Sequence, residues 1–199
     1  MGQVIVGLGN TGGEYERTRH NAGRDAVIAF HKDTTLPPFE YKKNADALVT
    51  SGEVNGERVT LVLPETLMNR SGKSVATLVK SVAGAKKLLV VQDELDLPLG
   101  VTKMVFGKNS GGHKGVESIM RAIKTKNFAR LRIGISGAGK KHQAKKPRGE
   151  EKVIKHVISK FTPTEQTAMK KVMKKTTQVI HTYVTEGIEQ ATMVANTRS

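Results

Sequence analysis

The chain has 199 residues, with 33 Lys+Arg against 18 Asp+Glu, a formal net charge of +15, and a length close to that of one domain. A hydrophobic content of 37% with no excess of Gly or Pro excludes collagen-like and wholly disordered chains. The absence of cysteine excludes disulfide scaffolds, thiol nucleophiles and Cys-ligated zinc or iron–sulfur centres, and no apolar run approaches the roughly 18 residues that cross a bilayer.

In chain order, Gln3–Gly7 reads as a short buried strand. The chain enters it at once, leaving no room for a leader peptide, so a cytoplasmic protein is expected. Ala22, Ala26, Val27, Ala29 and Phe30 fall at helical spacing and predict a helix over Asn21–Phe30. Leu36-Pro37-Pro38 interrupts regular structure. Ala45–Ser51 and Arg58–Leu63 read as strands paired around Val54-Asn55-Gly56-Glu57, where Asn-Gly signals a hairpin. Ser71 is placed to cap a helix running through Ala83. Lys87–Val91, Val101–Phe106 and Leu131–Ile135 read as further strands, with a helix over Gly112–Ile123 between the last two. Gly137–Gly149 has no apolar periodicity and is expected to be a mobile basic loop. Thr162, Pro163 and Glu165 occupy the cap, first and third positions of a helix that runs to Glu186 and stops at Gly187. The alternation predicts a single α/β domain over residues 1–188, built on a mixed, mostly parallel twisted sheet flanked by helices, with 189–199 as a flexible C-terminal tail.

The charge is uneven. Between Arg121 and Arg148 stand ten basic residues and no acidic one, and Lys170, Lys171, Lys174 and Lys175 form a second cluster with two pairs on one helix face. Such concentration suits a polyanion. Aromatic residues are only 4%, which argues against base-stacking platforms and for contact with a phosphate backbone.

Four segments carry candidate chemistry. Gly7, Gly9 and Gly12 fit a dinucleotide-binding glycine pattern, but the charged Glu14–Arg19 separates them from the helix and no second strand with an acidic end follows. Those glycines instead turn the chain so that Asn10 and His20 face the top of the sheet. Gly72-Lys73-Ser74 falls short of a phosphate loop because Leu67 stands where its first glycine belongs; an Asn, Asn69, remains at a helix entrance. Asp93, Glu94 and Asp96 follow a buried strand, and such carboxylates can bind magnesium, do acid–base work or orient a histidine. Gly107–Gly115 runs into a helix and is either an anion-binding turn or a plain one. Gly134-Ile135-Ser136-Gly137-Ala138 misses the nucleophile-elbow pattern. No pair of histidines has zinc-binding spacing, so no metal site is expected; His31, His156 and His181 read as surface or helix residues, and His142 falls in the basic loop.

Taken together, the segments resemble the bacterial-type peptidyl-tRNA hydrolase family. The matches are Gly7-Leu8-Gly9-Asn10, Tyr15 with Thr18-Arg19-His20-Asn21 and Gly23, Met68-Asn69 with Ser71-Gly72, Asp93-Glu94-Leu95-Asp96-Leu97-Pro98 with Gly100, Gly111-Gly112-His113-Lys114-Gly115, and Phe161-Thr162-Pro163 with Glu165. They come in the family's order over nearly the whole chain. Thr11 stands where the family usually has Pro, Gln92 where it usually has His, and Lys114 where it usually has a substrate-contacting Asn.

The resemblance implies hydrolysis of the ester joining a peptide to the 3′-terminal ribose of tRNA, which recycles tRNA in translation. It implies His20 as general base, Asp93 as its partner, and Asn10 as a catalytic and selective carboxamide. Tyr15, Leu67, Asn69 and the position of Lys114 are implied to contact the tRNA end, with the basic clusters on the acceptor stem. Lys114 is left between a phosphate contact, a peptide carbonyl contact and solvent. His113 is expected to be a structural loop residue. Neither cofactor, metal nor membrane is expected, and the partner is peptidyl-tRNA bound by a monomer. The rival readings are a non-catalytic RNA-binding relative and a nucleotide-dependent oxidoreductase.

Overall fold

The computed structural model describes residues 2–138 and 143–197; Lys140, Lys141 and His142 of the predicted basic loop lie outside them. The strands in chain order are β1 (Gln3–Gly7), β2 (Glu40–Lys42), β3 (Ala47–Val54), β4 (Glu57–Pro64), β5 (Leu88–Pro98), β6 (Thr102–Phe106), β7 (Ala129–Ala138) and β8 (Ala144–Lys145). The helices are α1 (Ala22–Lys32), α2 (Ser71–Leu78), α3 (Val82–Ala85), α4 (Lys114–Ile123), α5 (Glu150–Val157), α6 (Pro163–Glu186) and α7 (Ile188–Asn196).

One mixed sheet runs β2-β3-β4-β1-β5-β7-β6, with β8 on the end of β7. Its four central strands, β4, β1, β5 and β7, are mutually parallel, and the antiparallel pairs lie outside them. This is the single α/β domain with a parallel sheet centre that the alternation predicts. Both faces of the central strands are covered, so runs such as Val4–Val6 and Leu88–Val91 are apolar at every position. On β1, Ile5 joins Leu61, Leu89 and Leu131 under α1, α6 and α7. Its neighbours Val4 and Val6 join Val62 and Val90 under α2 and α4.

β1 lies at the sheet's reversal point: after α1 the chain builds β2, β3 and β4 on one side of it, then crosses through α2 and α3 to β5 on the other. Ligands of open α/β sheets bind in the crevice beyond the carboxyl ends of such strands. α1 comes close enough there that a Cβ on Gly23 would sit 2.2 Å from the carbonyl oxygen of Val91.

The structure departs from the sequence reading in several places. The helix expected from Ser71 to Ala83 breaks at Val79, which is extended (φ −108°, ψ 93°), and α3 restarts with Ser81 Oγ accepting the Gly84 N–H at 3.0 Å. β5 runs past Val91 to Pro98 through a register shift against β7, so the three carboxylates sit within the strand rather than after it. Within the predicted basic loop, β8 pairs with Gly137–Ala138, and α5 follows it, opened by Glu150 and Glu151, a favourable charge for its first turn. The expected flexible tail is corrected over its described part. Residues 188–196 form α7, which buries Ala191 and Ala195 completely and is tied to β6 by Thr102 Oγ1 donating to Ala195 O at 2.7 Å.

Candidate functional site

His20 sits in a tight turn, Arg19–Asn21, between β1 and α1. Asp93 lies in β5, next to β1, and is 2% exposed. Although 73 residues separate them, His20 Nδ1 lies 2.8 Å from Asp93 Oδ1. His113 Nε2 lies 2.9 Å from the same oxygen, and the two imidazole centroids are 5.2 Å apart.

The hydrogen bonds fix the protons. His113 Nδ1 faces the backbone N–H groups of Gly115 and Val116 at 3.2 and 3.4 Å, so it accepts and caps α4. Its Nε2 then carries hydrogen and donates to Asp93. His20 Nδ1 donates to the same carboxylate, which leaves His20 Nε2 without a partner among the described residues and able to take a proton. Burial alone would lower the His20 imidazole, but the charge and hydrogen bond of Asp93 outweigh it and raise the group above 6.5, against a smaller downward pull from Lys114. Burial alone would raise Asp93, yet His20 and His113 hold it well below the usual carboxylate range. His20, Asp93 and His113 bring three potential metal-ligand atoms within 4.8 Å of one another. In this arrangement they are satisfied by one another and by the α4 backbone.

These residues open onto a cleft of about 600 Å³ that Asn10, Tyr15, Leu67, Asn69 and Lys114 also line. All seven predicted site residues therefore share one cavity. Asn10 is held on three sides: its Oδ1 accepts the Met68 N–H at 2.8 Å, and the Asn21 carboxamide pairs with its backbone N–H and C=O at 2.8 and 3.0 Å. Its Nδ2 has no partner among the described residues, so both hydrogens are available to a ligand. Asn69 and Leu67 are exposed on the turn before α2. Val153, Ile154, Val157 and Ile158 form an apolar wall opposite.

Lys114 stands on the rim with its Nζ 3.6 Å from Glu150 Oε1, an exposed pair with little to hold it. Thr11 does more than fill a turn: its Oγ1 donates to Glu65 Oε2 at 2.8 Å, and Glu65 pairs with Arg24. The glycines before it serve packing, since a Cβ on Gly9 would meet Arg24 Cβ at 2.8 Å and Asn21 at 3.0 Å.

The basic clusters are only partly where the charge pattern suggests. Arg130 is 3% exposed and donates to the carbonyls of Asn109, Lys108 and Ser110 at 2.7, 3.2 and 3.4 Å. Burial pulls it down to about 10. It fixes the glycine loop that carries His113, and Gln92, completely buried, braces it at 3.4 Å. Arg132 is spent on Glu94 at 2.7 Å. Lys146 lines the cleft and pairs with Asp96. Lys171, Lys174 and Lys175 line a separate groove between α6 and α7. Arg121, Lys124 and Lys126 remain exposed.

Two residues escape the sequence reading. His113 is a full member of the carboxylate pair, and its only signal is a His at a helix entrance. His156, expected at the surface or in a helix, lies in α5, and its half-burial with Nε2 3.1 Å from Ile135 O carried no sequence signal.

Comparison with known proteins agrees over the whole fold. A family model described as Peptidyl-tRNA hydrolase matches residues 4–199. A peptidyl-tRNA hydrolase of Aquifex aeolicus is 41% identical over 175 residues, 87% of this chain and 85% of that protein. One of Herpetosiphon aurantiacus is 38% identical over 195 residues, 97% and 89% of the two chains. The crystal structure of peptidyl-tRNA hydrolase from Acinetobacter baumannii superposes with a TM-score of 0.88 at 34% identity, covering 99% of this chain and 95% of that one.

Proposed function

The chain belongs to the peptidyl-tRNA hydrolase family, and from that premise we propose that it hydrolyses the ester between the peptide and the 3′-terminal ribose of peptidyl-tRNA. Free tRNA and free peptide are the products, and the tRNA returns to translation. The observation that carries the mechanism is the 2.8 Å contact between His20 Nδ1 and a buried Asp93.

His20 Nε2 accepts a proton from water as that water attacks the ester carbonyl. Asp93 holds the ring in the tautomer that leaves Nε2 free, and it stabilises the imidazolium that forms. As the carbonyl oxygen gains charge, Asn10 Nδ2 and the Asn69 carboxamide donate to it; removing one donor of this kind costs roughly 100- to 1000-fold elsewhere. A neutral carboxamide at Asn10 also suits the peptide bond of a blocked residue and has nothing to offer a free ammonium. The collapse of the intermediate expels the ribose 3′ oxygen, to which His20 returns its proton.

Tyr15, Leu67, Asn69 and Lys114 receive the 3′ end, and the exposed cations beside α4 take the acceptor-stem phosphates without regard to sequence. On this reading the enzyme is a carboxylic-ester hydrolase that needs neither metal nor cofactor and works as a monomer in the cytoplasm. The test is cleavage of purified peptidyl-tRNA by the wild type and by His20→Ala. Equal rates leave only an RNA-binding protein. Undiminished cleavage after dialysis against a chelator supports the metal-free step, and a loss restored by added metal overturns it.

A further inference from the structure

Arg19, the residue before His20, is 6% exposed, and its guanidinium reaches β7, α6 and the segment that follows α5. Nη2 meets Glu165 Oε2 at 2.6 Å, Nε meets Ser159 Oγ at 3.2 Å, and Nη1 meets Ile135 O at 3.2 Å. Its flat face lies 4.7 Å from the Phe161 ring centroid, and its backbone N–H donates to Ser159 O at 3.0 Å. Each partner has a second duty. Glu165 closes the capping box of α6 by accepting the Thr162 N–H at 2.8 Å. Ile135 O also receives His156 Nε2 at 3.1 Å, and His156 belongs to α5, the helix that supplies the apolar wall of the cleft.

The charge of Arg19 is spent on Glu165. Arg19 makes no hydrogen bond to His20 or Asp93, and its side chain is turned instead to Ser159, Ile135 and Glu165. What Arg19 supplies is therefore geometry. A planar fork spreads its donors over three nitrogens and reaches a carboxylate, a hydroxyl and a carbonyl in three directions, whereas a lysine gathers its three donors on one nitrogen.

We infer that Arg19 is a positioning residue: it locks the His20 turn to β7, α5 and the start of α6, so that the imidazole meets Asp93 while the apolar wall stands at a fixed distance from it. This rests on His20 being the base. Misplacement of a reacting group by about 1 Å is worth roughly 100-fold in rate.

The experiment compares Arg19→Lys and Glu165→Gln with the wild type. The Gln variant keeps a side-chain oxygen for the α6 cap and serves if the Lys variant does not fold. The expected result is a fall in kcat of roughly 10- to 100-fold, with KM within about twofold. The proton NMR signal of the His20 Nδ1–H bonded to Asp93 weakens or shifts upfield in both. Folded variants with wild-type kcat and an unmoved His20 proton overturn the inference. The NMR arm reads the imidazole directly, so it stands or falls separately from the assignment of His20 as base, which His20→Ala tests.

Discussion

His20 and His113 donate to one oxygen, Oδ1 of Asp93, at 2.8 and 2.9 Å. A single buried carboxylate therefore orients two imidazoles, of which His113 also caps α4 and His20 has a nitrogen left for chemistry. Replacing Asp93 with Asn removes the charge and allows the wrong His20 tautomer, and the expected fall in kcat is about 100- to 10,000-fold. On the proposed mechanism the base acts when neutral, so activity is expected to rise with pH through the His20 titration. With Asp93 present that limb lies above 6.5, and in the Asn variant it moves to lower pH. Stability has the opposite sign: the raised imidazole contributes fully below 6.5 and its contribution fades as pH rises through the folded value. A pH–rate profile of both proteins checks this.

His113→Ala takes away a donor to Asp93 and a helix cap together. Loss of the cap costs about 1 kcal/mol, read from denaturant unfolding. The carboxylate, relieved of one hydrogen bond, attracts the His20 proton more strongly, so the acid limb moves up in pH. His113→Asn restores the cap and most of the stability while leaving the limb displaced.

Lys114→Asn probes the rim. Its pair with Glu150 at 3.6 Å is exposed, so unfolding free energy changes by less than about 0.5 kcal/mol. Lys114 opposes protonation of His20, so the variant's acid limb moves upward. A limb that moves downward contradicts this electrostatic account.

Asp25, in the first turn of α1, has its carboxyl pushed up from 3.8 to about 6, chiefly by burial, with Arg24 and Arg17 pulling it down and Glu16 up. Folding favours its neutral form, so its contribution is present below 3.8 and is lost as pH rises through about 6. Asp25→Asn is therefore expected to stabilise the protein by about 1–2 kcal/mol above that range, less the favourable interaction of a carboxylate with the helix start. Unfolding at pH 7.5 and pH 4 compares the two regimes, and a gain no larger at the higher pH rejects the argument.

Gly23→Ala drives a methyl into Val91 O, 2.2 Å from the ideal Cβ position. Because the obstacle is backbone, α1 has to lift from β5, at a cost of about 3 kcal/mol in urea unfolding. The displaced helix carries the His20 turn with it, so activity per folded molecule falls as well.

The order of elements was legible because it rests on local signals. A buried run such as Val4–Val6 reads as a strand wherever it sits, and the box formed by Thr162 and Glu165 sets the start of α6 from a four-residue stretch. α5 and α7 were missed because half-exposed helices of eight and nine residues owe their stability to packing that their own sequences do not display. The break at Val79 and the register shift in β5 are likewise decided by neighbours.

By itself the sequence determined the α/β class, the absence of thiol chemistry and the cationic surplus, and through its family resemblance it singled out His20, Asp93, Asn10 and Asn69 as candidates. Only the tertiary structure decided that two histidines share one carboxylate oxygen, that Arg130 is buried and Arg132 is paired with Glu94, and that Lys171, Lys174 and Lys175 of α6 line a separate groove. The physical reason is that charge along a chain is a one-dimensional count. Whether a cation meets solvent, a carbonyl or a carboxylate depends on which distant strands the sheet places side by side.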